Sequence, residues 1–136
     1  LHLAPYESFF KREDQMINSG GENPVIEFYN SYDFRVELGK ARAISPDHIA
    51  IEAEFMYILV NAFKNALINN DIEGAKSIKK VQIEFLNKHL LSFAPQYLMA
   101  LKIEALTPFY HDVADISLEF LLSDNEYLNG DFNGIL

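Results

Sequence analysis

Three titratable side chains lie close together near the start of an apolar segment. The stretch SPDHIAIEAEF, residues 45–55, carries Asp47, His48 and Glu52. Carboxylates and an imidazole can bind cations, metal ions or Arg side chains, and they can transfer protons. His48 and Glu52 are also one helical turn apart, where they would pair with each other. The cluster therefore fits two interpretations, a helix start held by local pairing and a binding site for a cationic partner.

The sequence contains none of the other motifs that would indicate catalysis. It has no Gly-rich phosphate loop, no H-E-x-x-H and no Glu-x-x-His pair, and its four His residues lie far apart. It has no Cys, which excludes disulfides, thiolate metal sites and a Cys nucleophile. We therefore predict that the protein is not an enzyme and that it holds no metal and no cofactor.

The charge of the chain limits the class of partner. Its 20 acidic and 11 basic residues give a net charge of −9, which repels nucleic acids and attracts cationic partners, and which also keeps a protein in solution. No apolar run approaches the roughly 18 residues that span a bilayer, and no signal-peptide pattern is present. The sequence predicts a single cytoplasmic domain without a membrane span.

Helices are the elements that must position these residues. Apolar residues recur at three- and four-residue spacings, which predicts an all-α bundle of about five helices. The predicted organisation is a linker with one helical turn at 1–24, a helical domain at 25–122 and a frayed tail at 123–136. The predicted helices are 25–38 with Gly39 as its C-cap, 46–69 with Ser45 as its N-cap, 71–91 capped by Asp71, 96–106, and 108–122 capped by Thr107.

Two details of this prediction concern burial. The last helix is expected to turn five side chains inward, namely Phe109, Val113, Ala114, Phe120 and Leu121. In the third helix, the polar residues Gln82 and His89 share the apolar face, and buried polar groups need hydrogen-bond partners. Acidic Asp33 and Glu37 are expected on the helix that precedes the Asp47-His48 cluster.

Three segments, in order, resemble one family. PYESFF (5–10) is similar to the P-x-E-S segment of the TorD/DmsD/NarJ-type redox-enzyme maturation chaperones. SPDHIAIEAEFM (45–56) resembles their P-x-D-H-I-x-x-E-x-x-F-M motif, and QIEFLNKHLLSFAPQY (82–97) resembles their Q-x-x-F-L-x-x-H-L-x-x-W-x-P-x-F segment. A P-D-H sequence alone is unspecific, whereas three ordered motifs across residues 5–97 are specific.

The resemblance implies the C-terminal part of an all-helical fold and a chaperone function. Members bind the twin-arginine signal peptide, and often the body, of a molybdopterin oxidoreductase subunit, and they delay its export until the cofactor is inserted. By position, the resemblance implies signal-peptide binding by Asp47, His48, Glu52, Tyr6, Glu7 and Ser8. It implies a structural role for Gln82, Phe85, Leu86, His89, Phe93 and Pro95, in which Gln82 and His89 would satisfy buried backbone groups.

The chain departs from the family pattern in two ways. Phe93 replaces the usual Trp, which keeps an aromatic ring. Members also carry several helices before the P-x-E-S segment, whereas this sequence begins at Leu1 shortly before it. Half of a fold would expose its apolar stripes, and large apolar patches drive association. We therefore expect a homodimer, with helix exchange as one route, or completion by chain outside this sequence.

Two other functions stay open at this point. One is a helical protein–protein interaction module without signal-peptide specificity. The other is a GTP-binding hydrolase, because some relatives are said to bind GTP, although no motif here supports it. The resemblance also leaves open which oxidoreductase is the client.

Overall fold

Seven α-helices and one π-helical turn make up the part of the chain that the structure, a computed structural model, describes. The described residues are 3–12, 17, 23–104 and 107–130. The elements are α1 (Glu7–Lys11), α2 (Val25–Ser31), α3 (Leu38–Ala41), α4 (Ile49–Ile68), α5 (Ile72–Phe85), the π-helical turn (Leu86–Leu90), α6 (Leu91–Glu104) and α7 (Pro108–Asn129). Among the described residues, extended pairing is limited to an isolated antiparallel bridge between Tyr6 and His48. The predicted all-α class and the helical turn in the linker are confirmed.

Helix α4 lies at the centre of the core. Its inward residues Ile51, Phe55 and Leu59 are at most 2% exposed. The ring of Phe55 lies 4.7 Å from that of Phe85 and 5.1 Å from that of Tyr29, centroid to centroid. Burying a side chain of this size contributes roughly 1.5–3 kcal/mol, so this aromatic cluster holds α2, α4 and α5 together.

Helix α4 begins later than predicted. The expected start at Pro46 with Ser45 as the cap is wrong, because the helix begins at Ile49 and His48 is its N-cap. The Nδ1 atom of His48 accepts a hydrogen bond from the Ala50 N–H at 3.0 Å. A helix start leaves N–H groups without helical partners, and the imidazole satisfies one of them.

The other two predicted N-caps are confirmed. The Asp71 carboxylate accepts from the Gly74 N–H at 2.9 Å at the start of α5. The Thr107 hydroxyl accepts from the Tyr110 N–H at 3.5 Å at the start of α7.

The predicted helix 25–38 is wrong, because the chain leaves the helix after Ser31. Asp33 adopts a left-handed backbone conformation with φ 53°, and the Phe34 N–H returns to the Tyr29 carbonyl at 2.8 Å. The Phe34 ring then packs 5.0 Å from that of Tyr29. Asp33 and Glu37 consequently lie outside the helices and are exposed. Gly39, the predicted C-cap, lies inside the short helix α3.

The predicted break at 92–95 is also wrong, because α5 continues through the π-helical turn directly into α6. The Leu91 N–H bonds to the Leu86 carbonyl, five residues back. Pro95 lies inside α6, where it removes a backbone donor without ending the helix. The structure describes α6 to Glu104, and the predicted end of this helix at Leu106 lies outside the described residues.

Helix α7 continues past its predicted end at Leu122 to Asn129, so residues 123–129 are not a frayed tail. Residues 131–136 of that predicted tail lie outside the described part of the chain. Ala114 is buried and Leu121 partly buried, as predicted. Phe109, Val113 and Phe120 are 68%, 43% and 69% exposed, so their predicted inward orientation is wrong.

None of the helices in the described part of the chain combines the length and the apolar composition that crossing a membrane requires.

Candidate functional site

The first two family-like segments meet at the start of α4. The Ile49 N–H donates to the Pro5 carbonyl at 2.8 Å, and the Glu7 N–H donates to the Asp47 carbonyl at 3.1 Å. The rings of Tyr6 and His48 pack edge to face with their centroids 5.0 Å apart. Residues 5–8 are therefore fastened along the segment that leads into α4.

Asp47 is the polar centre of this junction. It is 1% exposed, and its Oδ2 accepts from the Ser8 N–H at 2.6 Å. Its Oδ1 accepts from the Ser45 hydroxyl. Both carboxylate oxygens are thus engaged within the chain, which ties α1 to the approach of α4.

His48 is the accessible member of the predicted signal-peptide contacts. Burial lowers its pKa, an effect that the nearby Asp47 carboxylate opposes. The neutral ring can keep a lone pair on Nδ1 for the Ala50 N–H. The other five predicted contacts are buried: Tyr6, Glu7, Ser8, Asp47 and Glu52.

Glu7, Glu52 and His89 form a second polar group beneath this junction, here called the buried Glu–Glu–His cluster. One potential ligand atom from each lies within 4.8 Å of the others. His89 Nδ1 lies 2.9 Å and 3.0 Å from the two Glu7 carboxylate oxygens. The Lys11 ammonium also bonds to Glu7. The cluster joins α1, α4 and the π-helical turn, and so brings the third family-like segment to the first two.

The two carboxyl groups of the cluster have opposite pKa shifts. Burial raises the pKa of Glu52 well above its ordinary value, and the hydrogen bond and negative charge of Glu7 raise it further. Burial acts in the same direction on Glu7, but hydrogen bonds with His89, Glu52 and Lys11 outweigh it and lower the Glu7 pKa. The arrangement favours an ionised Glu7 beside a Glu52 that keeps a proton.

No group of the described residues donates a hydrogen bond to the Glu52 carboxylate. It is fully buried, and neither of its carboxylate oxygens meets a hydrogen-bond donor in the described part of the chain. The predicted pairing of Glu52 with His48 is wrong, since His48 bonds to its own helix start. A Glu52–Glu7 hydrogen bond forms when a proton sits between the two carboxylates.

The third family-like segment is mostly buried. Phe85, Leu86, Phe93, Gln82 and His89 are at most 5% exposed, and Pro95 is partly buried. The side chain of His89 bonds to the Glu7 carboxylate. The buried Gln82 amide nitrogen has no partner among the described residues.

An apolar groove opens on the opposite side of α4 from the aromatic core. Its volume is about 650 Å³. Helices α4, α6 and α7 and the π-helical turn form its walls. The lining residues are Ile49, Ala50, Ala53, Met56, Tyr57, Val60, Leu86, Leu90, Tyr97, Leu98, Ile116, Ser117, Phe120, Leu121 and Asp124. The groove begins at the residues that follow His48.

Asp124 is the acidic residue among those lining residues. Its carboxyl group is partly shielded from water in the groove wall, and this burial raises its pKa. Sequence reasoning missed this residue, because it fell in the predicted tail. The predicted inward face of the last helix ends at Phe120 and Leu121, before Asp124.

Comparisons with known proteins agree with the three segments. The family described as nitrate reductase delta subunit matches residues 1–99. Proteins named chaperone protein TorD are similar over 93% of this chain and 57% of their own length: 26% identical in Aliivibrio salmonicida, 27% in Aliivibrio fischeri and 25% in Vibrio parahaemolyticus. The chain thus spans little more than half the length of these curated relatives. No solved structure matches it significantly.

Proposed function

The chain belongs to the nitrate reductase delta subunit family, and from that membership we propose that it acts as a redox-enzyme maturation chaperone. In this proposal it works in the cytoplasm and binds the twin-arginine signal peptide of a molybdopterin oxidoreductase subunit. Binding delays export of that subunit and supports cofactor insertion. The curated relatives named as chaperones support the general function.

The apolar groove is the observation that carries the proposal. A signal peptide contains an apolar region of roughly 7–15 residues after a cationic start. Aliphatic and aromatic side chains of four helical elements line the groove, and each Å² of apolar surface removed from water contributes about 25 cal/mol. Apolar contact can therefore supply much of the affinity for such a peptide.

The charge of the chain complements the cationic start of the peptide. The net charge is −9, and Asp124 places a partly buried carboxyl group in the groove wall. A shielded hydrogen bond to a charged group is worth about 1.5–3 kcal/mol, whereas an exposed ion pair is worth about 0–1 kcal/mol. Asp124 is thus a better Arg anchor than a carboxylate on the open surface.

The family-like residues take two roles in this proposal. His48 directly precedes Ile49 and Ala50, which line the groove, and it retains accessible surface, which suits direct contact. Direct contact by Asp47, Glu52, Tyr6, Glu7 and Ser8 stays a prediction. Because Asp47 bonds to Ser8 and Ser45, its contact with a peptide would require those bonds to open. The geometry of these five buried residues supports a positioning role, since they fix the start of α4, which forms one wall of the groove.

Peptide titration tests the proposal. Fluorescence anisotropy with labelled twin-Arg and twin-Lys signal peptides should show tighter binding of the twin-Arg peptide to the wild-type chain. Phe120→Ser and Asp124→Asn should weaken binding of the twin-Arg peptide, and Asp124→Asn should also reduce the preference for Arg over Lys.

Two variants on α7 serve as matched controls. Phe109→Ser removes an exposed ring that does not line the groove, and Asp112→Asn removes one exposed charge outside it. Both controls should bind the peptide like the wild type. Equal affinity of all variants for both peptides would contradict the groove assignment.

A helical interaction module without signal-peptide specificity is the second candidate. It is favoured by exposed apolar side chains outside the groove, such as Met99, Ile103 and Tyr110, which are 54%, 80% and 58% exposed. A pull-down from the native cell distinguishes the two candidates. Recovery of a molybdenum oxidoreductase subunit supports the chaperone, whereas stable partners of other classes, without such a subunit, support the module.

A further inference from the structure

We propose that the buried Glu–Glu–His cluster binds a divalent transition-metal ion of the Zn²⁺ class. The ion would be held by Glu7, Glu52 and His89. It would join α1, α4 and the π-helical turn, and so fasten the linker segment to the helical body. This site is separate from the groove and does not depend on the proposed peptide binding.

The geometry of the cluster is the first support. Each of the three residues is at most 5% exposed, and one ligand atom from each lies within 4.8 Å of the others. Bonds of about 2.0–2.2 Å from a common ion to carboxylate oxygen and imidazole nitrogen place ligand atoms within that separation of one another. The three ligands come from distant parts of the sequence, which is why motif spacing predicted no metal site.

The second support is the unpartnered carboxyl group of Glu52. Both of its oxygens are buried and meet no donor in the residues that the structure describes. Buried polar groups in native proteins are almost always bonded to protein, water or an ion. Since Glu52 faces the carboxylate of Glu7, a positive species between them removes both the repulsion and the unmet bonds.

The charges of the cluster are balanced when it holds one additional cation. Lys11 contributes one positive charge to Glu7, and its ammonium also bonds to the Lys88 carbonyl at 2.8 Å. With both carboxylates ionised and the His89 imidazole neutral, as a metal ligand must be, one negative charge remains uncompensated in the cluster. Either a proton on Glu52 or a metal ion compensates this charge. A proton joins only the two carboxylates, whereas a metal ion bonds to both carboxylates and to the imidazole of His89.

The donor set indicates the class of ion. Imidazole suits Zn²⁺, Fe²⁺ and Cu²⁺, whereas Mg²⁺ and Ca²⁺ are bound by oxygen ligands alone. Two carboxylates with one imidazole therefore favour a transition ion. The neighbouring π-helical turn fits this assignment, because such turns occur frequently at functional sites.

Metal titration of the untagged chain after chelator treatment tests the proposal. Zn²⁺ should bind in equimolar amount and remain after desalting, as measured by elemental analysis, and it should raise the thermal unfolding midpoint, since a ligand of the native state stabilises it. Mg²⁺ should do neither. Glu52→Gln keeps the size of the side chain and should weaken Zn²⁺ binding at least about tenfold.

Matched variants separate this site from chance binding at the surface. His111→Asn removes an exposed His that pairs with Asp112 at 3.2 Å, and it should leave equimolar Zn²⁺ binding unchanged. His89→Gln should weaken binding like Glu52→Gln, and it provides a second readout where one variant fails to fold. Failure of the wild-type chain to retain Zn²⁺ would overturn the proposal, as would unchanged binding in folded Glu52→Gln or equal stabilisation by Mg²⁺.

Discussion

Two regions of this molecule use the same types of apolar residue in opposite ways. Around α4 and α5, the rings of Phe55 and Phe85 are fully buried and touch each other. Along α6 and α7, Phe120 is 69% and Ile103 is 80% exposed. The rings of the first region meet packed partners on α2, α4 and α5, whereas the described residues leave Phe120 and Ile103 largely uncovered. Burial of apolar side chains therefore stabilises the fold in the first region. In the second region, such side chains would become buried only on association with a partner.

The polar residues show the same contrast. Beside the core, Asp47, Glu7 and His89 are buried and joined by hydrogen bonds between different elements. On the α6–α7 side, Lys102 and Asp115 form an exposed ion pair at 2.7 Å. Removing one partner of a buried bond leaves an unmet polar group, whereas water replaces a partner at the surface. The buried hydrogen bonds of the three family-like segments consequently contribute to the stability of the chain, whereas binding is assigned to the α6–α7 side only by the proposed function.

The largest expected effect is the loss of a ring from the core. Phe85→Ala should lower the free energy of unfolding by about 3–5 kcal/mol, because it removes a fully buried ring and leaves a cavity. Urea denaturation followed by circular dichroism measures it. Phe120→Ala, the same change on the exposed side, should alter this free energy by less than about 0.5 kcal/mol. Similar losses in the two variants would break the comparison between the regions.

A smaller effect is expected from the buried carboxylate of Asp47. Asp47→Ala should cost about 2–3 kcal/mol, because the Ser8 N–H and the Ser45 hydroxyl lose a charged acceptor. Urea denaturation measures this loss, and hydrogen exchange at the Ser8 amide should become faster. The control Asp115→Ala breaks an exposed ion pair and should cost much less. A stable Asp47→Ala variant with unchanged exchange at Ser8 would show that the junction does not depend on this carboxylate.

The pH dependence of stability should contain a contribution from His48. Its pKa in the folded chain lies below the ordinary value of 6.5, so the unfolded chain binds a proton that the folded chain does not. The contribution is therefore present above pH 6.5 and is lost as the pH falls below it. His48→Asn keeps a helix cap that does not titrate, so unfolding midpoints between about pH 7.5 and about pH 5.5 should fall less than in the wild type.

His111→Asn is the control for that measurement, because His111 is not part of a helix cap or of the core. It should leave the pH dependence of the wild type unchanged. An identical pH dependence in His48→Asn and the wild type would show that the imidazole of His48 does not support α4 through its neutral form.

Local signals were sufficient for much of the fold. Helical spacing predicted the class, and Asp71 and Thr107 identified two helix starts because their side chains bond to N–H groups three residues away. The misplaced boundaries depend on longer-range contacts. The chain leaves α2 where Phe34 packs back onto Tyr29, and the helix passes Pro95 without ending. Neither result follows from residue preferences within one turn.

The candidate site shows a sharper limit. The resemblance identified which segments matter, but it did not show that Glu7 and His89 would meet beside Glu52, because side chains from distant parts of the chain meet through tertiary packing. Asp124 was missed for a different reason. Its surroundings are rich in Asn, Asp and Gly, which favours irregular structure, yet α7 continues to Asn129 and its Leu128 is buried in the hydrophobic core.

A change in stability as small as that of Phe120→Ala is expected at Ile103, which tests the other side of the comparison. Ile103→Ser should change the free energy of unfolding by less than about 0.5 kcal/mol, because its side chain is 80% exposed and contributes little to the packed core. The same substitution should reduce self-association, measured by light scattering over a range of concentrations, since it removes part of the apolar surface on the α6–α7 side. Lys102→Ser, at the adjacent position in α6, removes an exposed charge without that apolar surface and is the matched control.

A marked loss of stability in Ile103→Ser would mean that this residue already serves the fold. A chain that is monomeric at every concentration would remove the expectation that this surface binds a second copy.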